Sequence, residues 1–99
     1  MGQRSHPVKR RVHVFYSGRV QGVGFRATAE ETAQQFHVVG WVKNLRDGRV
    51  ELVAEADEST LQQFLTELRT GPMKNFIHQL EISWSNASDT FDEFEIRYY

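Results

Sequence analysis

The sequence predicts an α+β sandwich: an antiparallel sheet with two helices on one face. Three observations carry this. Several stretches alternate apolar and polar residues, the period of half-buried strands. Two stretches repeat apolar residues at helical spacing. The segments follow the order strand, helix, strand, hairpin, strand, helix, strand, with a short extra C-terminal strand. Two strand–helix–strand units joined by a hairpin make the split βαββαβ arrangement of ferredoxin-like folds.

The elements follow in chain order. "RVHVFYS" (Arg11–Ser17) puts Val12, Val14 and Tyr16 on one face of a first strand. From Phe25 the spacing becomes helical, with Phe25, Ala29, Ala33 and Phe36 on one stripe. "VVGWVKNL" (Val38–Leu45) is strand-like, and Asp47-Gly48 after it is a hairpin signal. "RVELVAEA" (Arg49–Ala56) alternates Val50, Leu52 and Ala54 against Glu51 and Glu55. A second helix carries Leu61, Phe64, Leu65 and Leu68. Ser59 with Gln62 matches a capping box, Asp57 is the rival cap, and Gly71-Pro72 ends the helix. "FIHQLEISWS" (Phe76–Ser85) alternates Leu80, Ile82 and Trp84 against polar residues, and "FEIRYY" (Phe94–Tyr99) reads as the last short strand. Both helices then cover one sheet face, and the other stays partly open.

The 99 residues fit one domain, expected over residues 9–99 behind a loose tail at residues 1–8. Without cysteine there are no disulfides, thiol nucleophiles or thiolate metal ligands. No apolar run is long enough to span a bilayer, and the polar, basic N-terminus is not a secretory signal, so a cytoplasmic protein without membrane contact is expected. The net charge of −1 argues against a nucleic-acid binder. The strand Arg49–Ala56 also lacks the aromatics that an RNA-recognition surface needs there. The four histidines show no ligand spacing, so no metal is expected.

The stretch "SGRVQGVGFR" (Ser17–Arg26) joins the first strand to the first helix. Its "GVGFRA" fits the dinucleotide pattern G-x-G-x-x-A, with Asp47 at roughly the acidic offset. Three facts oppose that reading. The chain is too short for both nucleotide-binding halves, Asp47 sits in a hairpin turn, and the first strand alternates where a doubly wound central strand is apolar on both faces. A Walker loop is excluded because no Lys-Ser/Thr pair follows the glycines. The physics of an anion cradle survives both exclusions. A turn entering a helix presents unpaired N–H groups, and glycines allow positive φ and close approach. Arg26 in the first turn opposes the helix dipole unless an anion sits between them. The plainer alternative is an ordinary strand-to-helix turn with Arg26 solvated.

Asn44 is the second singular residue, because Asn is disfavoured within strands. It either caps the turn at a strand end or offers its amide to a substrate or water.

"GRVQGVGFR" and "GWVKNLRDGRVE" (Gly40–Glu51) resemble the two signatures of acylphosphatases. The second helix with Gly71-Pro72 and the terminal "FEIRYY" are similar to that family too, so the resemblance runs from about Val8 to Tyr99. It implies a ferredoxin-like fold and hydrolysis of the carboxyl–phosphate bond of acyl phosphates, yielding a carboxylate and inorganic phosphate, with no metal or other cofactor. It implies that Arg26 binds the phosphate, that the amides of Gln21, Gly22, Val23, Gly24 and Phe25 complete the cradle, and that Asn44 orients the attacking water. A monomer with a small acyl phosphate as its partner is expected. The rival class is a catalytically inactive ferredoxin-like anion-binding or interaction module.

The chemistry is consistent with so small a residue set. The leaving carboxylate has a conjugate acid of pKa about 4, so it departs at neutral pH without a protein acid. Phosphoryl transfer relies mainly on positioning and charge stabilisation.

Overall fold

The computed structural model describes residues 8–98. The tail expected over residues 1–8 lies outside the described residues except for Val8, as does Tyr99. The strands are β1 (Lys9–Gly18), β2 (Val39–Asn44), β3 (Val50–Asp57), β4 (Ile77–Asn86) and β5 (Phe94–Arg97). The helices are α1 (Phe25–Phe36) and α2 (Glu58–Thr70), and one 3₁₀ turn (Lys74–Phe76) precedes β4. The βαββαβ order with an extra strand is therefore present.

One five-stranded sheet has the order β4-β1-β3-β2-β5. The pairs β1/β3, β1/β4 and β2/β3 are antiparallel, but β5 pairs parallel to β2, so the sheet is mixed. Strand directions explain this. Alternating reversals across β1 and β3 make β4 run opposite to β2. A chain that turns back after β4 must then run alongside β2 in the same direction. The register Lys43↔Arg97 carries Tyr98 level with Asn44.

The alternation read from the sequence reflects one-sided burial. Val12, Val14 and Tyr16 of β1, Val42 of β2, and Leu52 and Ala54 of β3 face the helices. They meet Phe25, Ala29 and Ala33 of α1 and Leu61, Phe64 and Leu68 of α2, all at 2 % exposure or less. Each large apolar side chain so buried contributes about 1.5–3 kcal/mol.

Three details depart from the expected pattern. First, α2 starts at Glu58 behind Asp57, and Asp57 makes no side-chain cap bond. Ser59 therefore sits inside the first turn, and the capping box does not form. The backbone of Asp57 is still paired to β1 at Lys9, so β3 runs directly into the helix. Second, β4 is an edge strand, so Ile82 and Trp84 remain 41% and 36% exposed although they face the helix side. Third, the outer face of β3 is more covered than its alternation implies. Val53 and Glu55 are both buried there. The Glu55 carboxylate accepts from Arg11 Nε (2.8 Å), the Ser88 N–H (2.8 Å), Ser88 Oγ (2.9 Å) and the Asp89 N–H (2.9 Å). It pins the β4–β5 connection across the sheet.

Candidate active site

The segment between β1 and α1 is anchored at both ends. Val20 is fully buried, and Phe25, the first residue of α1, packs on Tyr16 with ring centroids 4.8 Å apart. Between these anchors Gly22 (φ 78°) and Gly24 (φ 85°) take left-handed backbone, which residues with a Cβ adopt only at a cost. Gly24 is the N-cap of α1. Thr28 N–H donates to Gly24 O at 3.0 Å, closing the first helical turn. The N–H groups of Phe25, Arg26 and Ala27 precede the helical ladder and have no partner within it. No acidic side chain stands in that turn to offset the positive end of the helix.

Arg26 is half-buried, and its guanidinium carbon lies 4.9 Å from the ring centroid of Tyr98. Asn44 is the last residue of β2, opposite Val50. Gly22, Gly24, Phe25, Arg26 and Asn44 line one cavity of about 200 Å³, together with Ile96 and Tyr98 at the end of β5. The cavity thus joins the loop, the start of a helix, and the ends of two adjacent parallel strands.

The expected cradle calls on backbone amides, and two of its residues turn their side chains away from the cavity. Val23 packs against the core, and Gln21 turns its side chain toward the β2–β3 hairpin. Neither lines the cavity. Asp47, the acidic residue of the dinucleotide reading, is a turn residue. Its carboxylate accepts from the Arg49 backbone N–H (3.1 Å) and from Arg49 Nε (2.9 Å), and these bonds hold its pKa below the usual carboxylate range. Tyr98 and Ile96 were not singled out as site residues from the sequence. Their place depends on the parallel pairing of β5, which no local pattern encodes. Among the described residues, no cluster of three or more His, Asp or Glu side chains is gathered that a metal ion could occupy.

Fold and cavity together define a class: a small ferredoxin-like α+β domain whose cavity lies between a glycine loop and the end of β2. The comparisons with known proteins narrow it. The family model named Acylphosphatase matches residues 12–96. A protein named acylphosphatase from Roseiflexus sp. (strain RS-1) is 44% identical over 78 residues, covering 79% of this chain and 84% of the relative. One from Syntrophus aciditrophicus (strain SB) is 40% identical over 89 residues, covering 90% and 93%. The crystal structure of acylphosphatase from Bacillus subtilis superimposes with a TM-score of 0.84 at 35% identity, covering 90% of this chain and 99% of that one. This chain belongs to the acylphosphatase family.

Proposed function

We propose that this protein hydrolyses the carboxyl–phosphate bond of acyl phosphates without a metal, using Arg26, the loop amides and Asn44. Family membership supports the reaction. The observation that carries the mechanism is the meeting of Arg26 and Asn44, from separate elements, at one cavity beside a helix N-terminus. The phosphate sits in the bend of the loop from Gln21 to Phe25. Its equatorial oxygens accept from those amides and from Arg26. The guanidinium fork binds two oxygens at once and neutralises charge as the bond to the carboxylate lengthens. Asn44 holds a water in line with the breaking bond, and a phosphate oxygen of the substrate takes the proton of that water. The carboxylate leaves unassisted, since its conjugate acid has a pKa of about 4.

The physiological form in this reading is a cytoplasmic monomer; sedimentation equilibrium and cell fractionation test those two points. The functional reading is tested by following benzoyl phosphate hydrolysis with and without chelator. Turnover unaffected by chelator and abolished by Arg26→Ala is expected. Near-normal turnover by Arg26→Ala, or loss of turnover on chelation, contradicts it.

A further inference from the structure

We propose that the side chain of Gln21 is a positioning residue, a latch that fixes Asn44 relative to the phosphate loop. The proposal rests on the functional reading above and concerns a group that reading does not use.

Gln21 Nε2 donates to Leu45 O at 2.7 Å and to Arg49 O at 2.9 Å. Both protons of one amide are therefore engaged, and only the nitrogen end of the side chain can face two carbonyls. The positions of those carbonyls matter. Leu45 directly follows Asn44. Arg49 directly precedes Val50, the residue opposite Asn44 in the β2/β3 ladder. Gln21 thus grips both arms of the hairpin one residue beyond the Asn44–Val50 pair, on its turn side. Among the described residues, these two bonds are the hydrogen bonds between the loop 19–24 and the hairpin.

The hairpin closes without Gln21. Leu45 N–H donates to Arg49 O (2.8 Å), Gly48 N–H to Leu45 O (3.2 Å), and the Arg49 N–H to Asp47 Oδ1 (3.1 Å). The Gln21 bonds are additional to a turn that is already complete. What they add is a fixed relation between two parts of the site that reach the cavity from different elements. In-line attack needs the water on Asn44 and the phosphate in the loop held to a fraction of an ångström. A displacement of about 1 Å can cost on the order of 100-fold in rate.

The test is a double-mutant cycle on the purified protein with benzoyl phosphate as substrate and inorganic phosphate as inhibitor. Gln21→Met keeps the shape and removes both donors. It is expected to lower kcat by about 10- to 100-fold. The inhibition constant for phosphate should stay within about twofold, because the amides and Arg26 are intact. In an Asn44→Ala background the same substitution should change kcat by less than about twofold, because the group it positions is gone. An unchanged kcat in Gln21→Met overturns the proposal. So does an equal loss in both backgrounds, or a loss confined to phosphate affinity. If Gln21→Met does not fold, Gln21→Glu serves. Its ionised carboxylate repels both carbonyls, whereas its protonated form donates one bond. Its kcat relative to wild type should recover as pH falls toward the ordinary Glu pKa of about 4.3, and a flat ratio overturns the latch. Failure of the underlying reading looks different: Asn44→Ala alone would keep wild-type kcat, and both proposals would fall.

Discussion

The guanidinium of Arg26 lies over the ring of Tyr98, with its central carbon 4.9 Å from the ring centroid. Arg26 comes from the first turn of α1 and Tyr98 from the residue after β5. The far end of the chain therefore props the side chain that we assign to the phosphate. An arginine held in place before substrate arrives loses less rotamer entropy on binding. A stacked cation at an exposed site gains about 0.5–1 kcal/mol. Tyr98→Ala is accordingly expected to reduce kcat/KM for benzoyl phosphate by about two- to fivefold. Tyr98→Phe should stay near wild type. Equal losses in both variants would mean that the hydroxyl matters and the stacking does not.

Arg26→Lys separates charge from geometry. Lysine keeps the positive charge but loses the planar fork that engages two phosphate oxygens. We expect kcat/KM to stay reduced by at least about 100-fold despite the retained charge. Activity within a few-fold of wild type would show that a point charge suffices and that the fork plays no part.

Gly24 tests the loop conformation. It caps α1 at φ 85°, and a Cβ built there meets nothing within 4 Å. The cost of Gly24→Ala is then backbone strain alone, about 1–2 kcal/mol. A lowered denaturation midpoint is expected, together with weaker inhibition by phosphate as the loop relaxes away from its left-handed turn. A variant with wild-type stability and phosphate affinity would refute the need for this conformation.

Glu55 gives the fold a pH dependence. Burial alone would raise its pKa. The N–H groups of Ser88 and Asp89, the Arg11 guanidinium and the Ser88 hydroxyl outweigh burial and hold it below the usual range. A carboxyl with a lowered folded pKa stabilises the protein fully above its unfolded pKa of about 4.3. That contribution is lost as pH falls through the lower folded value. Urea midpoints should be level near neutrality and fall in acid, more steeply for wild type than for Glu55→Gln. At neutral pH, Glu55→Ala should cost about 3 kcal/mol, because it leaves Arg11 and two backbone donors without their acceptor. Parallel acid profiles for wild type and Glu55→Gln would contradict this.

Much of the architecture was legible because burial is one-sided. Val12, Val14 and Tyr16, like Leu52 and Ala54, alternate because a helix layer covers only one face. The hairpin was legible from Asp47-Gly48, and the helix stripes from Phe25 to Ala33 and Leu61 to Leu68. Other features are non-local and leave no pattern. The direction of β5 depends on the path of β4 at the opposite edge. The Gln21 side chain meets carbonyls 24 and 28 residues away. Glu55 reads as an outward strand residue until the β4–β5 connection folds over it. The capping box at Ser59 misled because a local match competes with the strand pairing that carries Asp57 to the helix. Of the candidate site, Arg26 and Asn44 stood out by residue type, being a cation at a helix start and an amide at a strand end. Tyr98 did not, because only tertiary pairing brings it to the cavity.

The central claim is a division of labour: Arg26 and the loop bind phosphate, and Asn44 places the water. The most direct test is Asn44→Ala, with kcat for benzoyl phosphate and the inhibition constant for inorganic phosphate measured on the same preparation. The account predicts that kcat falls by about 100-fold while phosphate binds as in wild type. Wild-type kcat with weakened phosphate binding would contradict it, and would make Asn44 part of the cradle.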